Sequence, residues 1–150
     1  MTTSFEWLPE YSVGDSELDR QHQQIIAILN DLTGVISAHA KPDSPAVEQI
    51  FDELASYITT HFAHEEERMV EAGYPVAKVD AHRKNHNTLL ATVQQYQQRC
   101  ATGDEQAFAD LMPFLYGDWL IQHICEIDMD YAPFMAKGGN PVGAPSPSNG

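Results

Sequence analysis

Apolar residues recur along this chain at intervals of three and four, the spacing that keeps side chains on one face of an α-helix. Four such stretches begin near Ser16, Ser44, Val76 and Asp104, and short polar segments separate them. No stretch shows the alternation of apolar and polar residues that is typical of a strand. The pattern predicts an all-α protein, an antiparallel up-down-up-down four-helix bundle.

Local signals indicate where these helices begin and end. Ser16, with Asp19 three residues later, resembles a capping box for the first helix. Ser44, followed by a proline, suits the start of the second helix. Gly73 and Gly103 are expected to end the second and third helices, because glycine adopts the left-handed conformation found at helix ends.

The remaining segments frame the bundle. Residues 1–15 carry Phe5, Trp7 and Tyr11 without a helical period, which predicts an ordered N-terminal arm packed on the body. Pro113 is expected to kink or restart the fourth helix, which continues towards Pro133. Residues 137–150 are rich in Gly, Pro and Ser and are predicted to form a disordered C-terminal tail. The bundle domain is therefore assigned to residues 1–136.

Polar residues interrupt the apolar faces at seven positions. These are His22, His61, Glu65, His82, His86, His123 and Asp128. Burying an unpartnered charge costs several kcal/mol, so such residues must pair, lose their charge or bind a cation. Taken alone, the stretch from His61 to Glu65 favours a salt cluster at a helix end. Inward histidines on all four helices instead favour a metal site in the bundle core.

The spacing of these residues decides how many ions they suit. A separation of four, as between His61 and Glu65, turns a helix by only about 40°, so both side chains reach one centre. Asp128 follows His123 by five, about 140° around a regular helix, and needs a local bulge or a long reach. Seven ligands exceed the four of a zinc site, and imidazoles do not suit calcium or magnesium. Two adjacent transition-metal ions fit best.

Composition narrows the function classes. A chain of 150 residues is expected to form a single domain. Its 22 acidic and 8 basic residues give a net charge of -14, which argues against nucleic acid and anionic membranes as partners. Cys100 and Cys125 form no Cys-x-x-Cys pair and are interpreted as thiols. The sequence shows neither a secretory leader nor an apolar run of about 18 residues, so we expect a cytoplasmic protein without membrane insertion.

Four motifs carry a resemblance to a known family. They are Asp19-Arg20-Gln21-His22, His61-Phe62-x-x-Glu65-Glu66-x-x-Met69, His82-x-x-x-His86 and Trp119-Leu120-Ile121-x-His123-Ile124-x-x-x-Asp128. Over about residues 5–131 the chain resembles the bacterial hemerythrins. The resemblance implies a non-haem centre of two iron ions with an oxo or hydroxo bridge, which binds O2 reversibly. It also implies that Glu65 and Asp128 each bridge the two irons.

The resemblance further implies a division of the histidines. His82, His86 and His123 would serve one iron, and His22 and His61 the other. Three histidines and three bridges complete an octahedron, whereas two histidines leave one position open. O2, or a small anion such as azide in the oxidised form, is therefore expected at the iron of His22 and His61.

Apolar residues near the ligands are candidates for the wall of an O2 pocket. Phe62 and Ile124 directly follow a ligand, and Ile25 and Trp119 lie about one turn from one. A dry pocket would protect bound O2 from water and protons. The alternative is that these four residues are ordinary core.

Other polar residues are assigned to the surface. Glu66 and Glu67 are interpreted as the solvated face of their helix, and His39 and His64 as solvated or capping residues.

Three functions remain open from the sequence. The favoured one is a non-enzymatic protein that binds O2 for storage, transport or delivery, including delivery to a downstream oxygen-using protein. A di-iron enzyme, such as a peroxidase or an NO-handling protein, is less favoured because oxygen-activating bundles use Glu-x-x-His pairs and more carboxylates. The third is an oxygen or redox sensor that acts through a separate partner.

Overall fold

The structure, a computed structural model, describes residues 5–137, and the fold within this range is helical without strands. Three long helices come first: α1 (Ser16–Ser37), α2 (Pro45–Glu71) and α3 (Val76–Ala101). The shorter α4 (Ala107–Pro113) continues directly into a π-helix, Phe114–Ile127. The prediction of an all-α four-helix bundle is confirmed.

Shorter elements complete the described chain. A 3-10 turn, Pro9–Tyr11, lies in the N-terminal arm, and a second, Asp128–Asp130, follows the π-helix. The last helix, α5, spans Ala132–Lys137 and carries Pro133 in its first turn. The fourth helical region therefore extends beyond its expected end at Pro133, because proline is well tolerated in a first turn. Residues 138–150 lie outside the described range, so the disordered tail stays a prediction.

None of the helices between residues 5 and 137 combines the length and apolar character that a membrane crossing requires. Cys100 is buried, and no disulfide joins it to Cys125.

The start of α1 differs from the prediction by one residue. Asp15, not Ser16, is the N-cap, and its carboxylate accepts hydrogen bonds from two backbone N–H groups of the first turn. Asp19 instead accepts from the Val13 N–H and the Ser12 hydroxyl. The capping box at Ser16 was therefore wrong: the acidic side chain directly before Ser16 occupies the capping position, and Asp19 secures the arm.

The other helix ends follow the expected chemistry. The Ser44 hydroxyl accepts from the N–H of Val47 at the start of α2. Gly73 and Gly103 adopt φ values of +84° and +80° after α2 and α3, as predicted. His39 holds the equivalent place after α1 with a φ of +64°. An imidazole thus occupies a conformation that normally favours glycine.

The change of winding at Pro113 shapes the fourth segment. Proline cannot supply the N–H that continues an α-helix, and the chain beyond it winds as a π-helix. At the end of that helix the Asp128 N–H donates to the His123 carbonyl five residues back. Residues five apart lie on one face when such bonds close the turn. Of the two alternatives expected for Asp128, a local bulge or a long reach, the structure shows the change of winding, as a continuous π-helix.

Two apolar clusters show the direction of each helix. The main cluster includes Leu29, Leu54, Val93 and Leu115. The end cluster includes Leu18, Met69, Val79 and Tyr131. Along α1 and α3 the chain passes from the end cluster to the main cluster, and along α2 and the fourth segment it returns. This alternation confirms the up-down-up-down topology.

Asn30 of α1 holds the beginning of the described arm, in addition to the bonds that Asp19 makes at its end. Asn30 accepts a hydrogen bond from the Phe5 N–H and donates one to the Phe5 carbonyl, each at 2.9 Å. Phe5 and Trp7 pack against the main cluster, and the Trp7 ring lies 6.4 Å from that of His22. Packing of the arm on the body is thus confirmed for residues 5–15.

Candidate metal centre

The seven side chains predicted as ligands form one polar layer between the main and end clusters. In sequence, five of them stand between residues of the two clusters: His22, Glu65, His82, His86 and Asp128. His61 and His123 each directly precede a main-cluster residue, Phe62 and Ile124. All seven are buried, and His22, Glu65 and Asp128 have no exposed surface. The structure therefore brings together the whole predicted set.

The five imidazoles of this layer form two groups. The ring centroids of His22 and His61 are 4.8 Å apart. The rings of His82, His86 and His123 lie within 5.2 Å of one another. A pair from α1 and α2 thus stands beside a triad from α3 and the π-helix.

The Glu65 carboxylate lies between the two groups. Its Oε2 is 3.2 Å from Nε2 of His22 and 3.7 Å from Nε2 of His61. Its Oε1 is 2.8 Å from Nε2 of His86 and 3.7 Å from Nε2 of His82. One oxygen therefore faces the histidine pair and the other faces the triad.

Asp128 is arranged in the same way. Its Oδ2 lies 3.1 Å from Nε2 of His22, and its Oδ1 lies 2.8 Å and 3.1 Å from Nε2 of His82 and His123. The π winding between His123 and Asp128 makes this approach possible. Both carboxylates thus have the placement needed to bridge two ions.

The donor atoms of the layer fit metal ions. Several buried atoms form no hydrogen bond with the described residues: His61 Nε2, Glu65 Oε1, His86 Nε2, His123 Nε2 and Asp128 Oδ2. Each unsatisfied buried group costs about 1–3 kcal/mol. Donor atoms lie within 4.8 Å of one another in two sets that share Glu65, one around the triad and one around the pair. Cations between them would satisfy these atoms, and imidazole with carboxylate is a donor set that suits iron.

Without a metal, protons take the place of the cations. Burial disfavours a charged imidazole, but the adjacent carboxylates of Asp128 and Glu65 outweigh it and raise the pKa of His22 and of His82 to about 10. For His61, burial dominates and lowers the pKa to about 3. Metal uptake must therefore release protons from the layer.

Three imidazoles are held from outside the layer through Nδ1. His61 donates to Gln21 Oε1 at 2.7 Å, His86 to Glu66 Oε2 at 2.7 Å, and His123 to Asn85 Oδ1 at 2.6 Å. Metal-binding histidines usually use the second nitrogen in this way, which fixes the ring and its tautomer. These bonds leave Nε2 of each ring for the centre of the layer.

Sequence reasoning missed these three partners. Glu66 was assigned to the solvated face, which was wrong: only 16% of its side chain is exposed. It lies at the edge of α2 where α3 packs, within reach of His86. Glu67 is exposed, as predicted. Gln21, Glu66 and Asn85 each directly adjoin a ligand in sequence, and that adjacency is the signal that could have found them.

Tyr131 is a further residue that sequence reasoning did not select. Its hydroxyl donates to Glu65 Oε2, and the side chain is fully buried. Burial, reinforced by the charges of Glu65 and Asp128, raises the pKa of Tyr131 well above its ordinary value. Tyr131 therefore stays a hydrogen-bond donor. Its position one turn after Asp128 was the available signal.

The four candidates for a pocket wall are buried in the main cluster: Ile25, Phe62, Trp119 and Ile124. The Phe62 ring stacks on His86 with centroids 3.9 Å apart, and it lies 5.8 Å from His61. Phe62 therefore packs chiefly against the triad. Its role as a wall stays a prediction.

The two histidines excluded as ligands lie outside the polar layer. His64 is partly buried, and its Nδ1 accepts a hydrogen bond from Gln21. His39 is exposed at the end of α1.

Comparison with known proteins agrees with this geometry. The hemerythrin HHE cation binding domain matches residues 13–135. A bacteriohemerythrin of Stenotrophomonas maltophilia is 34% identical over 84% of this chain and 78% of its own length. A bacteriohemerythrin of Pseudomonas aeruginosa is 30% identical over 83% and 77%. A hemerythrin of Sipunculus nudus is 33% identical over 85% and 90%.

Proposed function

Because the chain belongs to the hemerythrin family, whose domain holds a di-iron centre that binds O2, we propose that it binds O2 reversibly for storage, transport or delivery. We place this role in the cytoplasm and expect no catalytic turnover.

The ligand assignment rests on the two carboxylates. Glu65 and Asp128 each direct one oxygen to the pair of histidines and the other to the triad. This single feature supports two bridged ions better than one ion or a salt cluster. The proposed ligands are His82, His86 and His123 for one iron, His22 and His61 for the other, with Glu65 and Asp128 shared.

The unequal histidine groups support an open position on the side of His22 and His61. When bound, the iron pair supplies the electrons that reversible O2 binding requires. The chain supplies neutral imidazoles, with Nδ1 of His61 held by Gln21, and two carboxylates, with the Tyr131 hydroxyl donating to Glu65. The main cluster excludes water on one side of the layer, which favours release of O2 unchanged.

The test combines iron content with O2 cycling. Purified protein is loaded with ferrous iron, and its visible spectrum is recorded without oxygen, in air and after oxygen removal. We expect two irons per chain and a band that appears and disappears over repeated cycles. A band that bleaches irreversibly, or continuous O2 consumption with a reductant, would favour a sensor or an enzyme instead.

Matched variants test the ligands in the same experiment. His61→Ala and Glu65→Ala should lose the iron pair, since the first removes half the imidazoles of one iron and the second removes a bridge. His64→Ala and His39→Ala should keep the iron and the band, because both residues lie outside the layer. Two irons retained in Glu65→Ala would reject the assigned bridge.

A further inference from the structure

Glu66 lies between the polar layer and the surface of the bundle and forms hydrogen bonds in both directions. Its Oε2 accepts a hydrogen bond from Nδ1 of His86 at 2.7 Å, and its Oε1 accepts one from Nε of Arg83 at 3.1 Å. Arg83 also donates to Asp80 from the same helix, α3. The carboxylate is thus held by residues of α3 on both sides while its own backbone belongs to α2.

Glu66 differs in charge from the other groups that hold imidazoles of the layer. Gln21 and Asn85 offer neutral amide oxygens to His61 and His123. A hydrogen bond to a carboxylate is roughly twice as strong as one to a neutral acceptor. Such a bond also makes the imidazole a better electron donor to a metal at its other nitrogen.

The orientation of His86 makes this bond relevant to the centre. With Nδ1 bound to Glu66, Nε2 points into the layer, 2.8 Å from Oε1 of Glu65. The Phe62 ring stacks on the imidazole with an angle of 3° between the planes. The hydrogen bond fixes the rotation of the ring in its plane, and the stacking fixes the plane itself.

We propose that Glu66 is a positioning residue that holds His86 for the triad iron and, through its charge, favours the ferric over the ferrous state of that iron. This rests on the proposed function, because it requires His86 to be a ligand. Arg83 counterbalances the charge of Glu66 and so sets the size of the effect.

Two substitutions separate the roles of geometry and charge. Glu66→Gln keeps an oxygen that can accept from His86 but removes the charge, whereas Glu66→Ala removes both. Glu67→Gln and Glu67→Ala are matched controls, since Glu67 is the next residue and is exposed. Arg83→Gln removes the countercharge and leaves the carboxylate in place.

Two quantities are measured: ferrous iron affinity, by anaerobic competition with a chelator, and the reduction potential of the loaded centre. Glu66→Ala should lower the affinity about 10- to 100-fold. Glu66→Gln should lose less affinity but shift the potential in the positive direction. A tenfold greater loss of ferric than of ferrous affinity corresponds to about 59 mV. Arg83→Gln should shift the potential in the negative direction, and the Glu67 variants should match wild type.

The outcomes distinguish this inference from the proposal on which it rests. If wild type holds two irons and both Glu66 variants match their Glu67 controls, the role of Glu66 is rejected and the proposed function stands. If wild type does not hold an iron pair, both are rejected. Because Glu66→Gln is nearly isosteric, it decides the question even if Glu66→Ala is poorly folded.

Discussion

Glu65 contacts both groups of histidines and also Tyr131. Its Oε1 faces His86, while its Oε2 faces His22 and accepts from the Tyr131 hydroxyl. Truncation of this side chain would remove both carboxylate oxygens and leave the buried Tyr131 hydroxyl without its acceptor. A buried donor left in this way costs about 1–3 kcal/mol. Glu65 is therefore a structural residue as well as a proposed ligand.

Phe62 and Ile124 provide a test of the proposed exclusion of water from the irons. Phe62→Ala and Ile124→Ala should leave two irons bound at saturating iron, because neither side chain is a ligand, although Phe62→Ala also removes the ring that stacks on His86. Both variants should shorten the half-life of the oxygenated band. Stability should fall by about 3–5 kcal/mol for Phe62→Ala and about 2–5 kcal/mol for Ile124→Ala, since each change leaves a cavity. Spectral decay in air and denaturant titration provide the two measurements. Unchanged half-lives in both variants, with stability reduced, would place the O2 pocket elsewhere.

The seven layer residues could be selected from sequence because each is a polar side chain on an apolar helical face. Periodicity assigns a residue to a face, but it does not give the distance to the neighbouring helix. Gln21, Glu66 and Asn85 stand at the edges of their faces, where that distance decides between solvent and a histidine. Only the packing of neighbouring helices places them within hydrogen-bond distance of a histidine.

At the scale of elements, each of the three long helices supports a histidine of the helical segment packed next to it. Gln21 on α1 holds His61 on α2, Glu66 on α2 holds His86 on α3, and Asn85 on α3 holds His123 on the π-helix. These bonds link neighbouring helices at the level of the polar layer. Correct packing of the helices and correct orientation of the imidazoles therefore depend on each other.

The π-helix is the element that sequence could indicate only in part. A spacing of five between His123 and Asp128 required some departure from α winding if both were ligands, and Pro113 marked a place where α bonding is interrupted. Neither signal gives the extent of the π segment, Phe114–Ile127. Its buried side chains pack in the main cluster, so tertiary contacts stabilise a winding that local propensity does not specify.

The end of α1 provides a test at this scale. His39 adopts a φ of +64°, a conformation that costs a residue with a Cβ roughly 1–2 kcal/mol and costs glycine nothing. Glycine loses about 0.5–1 kcal/mol of that advantage through the entropy of the unfolded chain. We expect His39→Gly to raise the free energy of unfolding by up to about 1.5 kcal/mol in denaturant titration. A clear loss of stability would show that the imidazole makes a contact of its own.

At the scale of the whole molecule, the polar layer lies between the main cluster and the end cluster. All four helical segments contribute residues to it. The fold class was predictable because periodicity and short connections are properties of the sequence. The alignment of the seven polar residues in one layer was less predictable, because it depends on how far each helix is shifted along its neighbours. Side-chain packing in the two clusters opposes such a shift, and it keeps the polar residues of the four segments at the same level of the bundle.

Buried protons make the stability of the metal-free protein depend on pH. The pKa of His22 and of His82 is raised from 6.5 to about 10, so their stabilising contribution is complete below pH 6.5 and is lost as the pH rises towards 10. We expect the melting temperature of the metal-free protein to fall across this range. If these nitrogens bind iron as proposed, the fall should be absent in the iron-loaded protein. Parallel pH profiles of the two forms would contradict this assignment.

The most direct test of the central claim is a crystal structure of the iron-loaded, oxidised protein with azide, with the irons located by their anomalous scattering. We predict two irons between the carboxylates of Glu65 and Asp128, with azide on the iron that His22 and His61 hold. A single iron, or azide on the iron of the histidine triad, would contradict this arrangement.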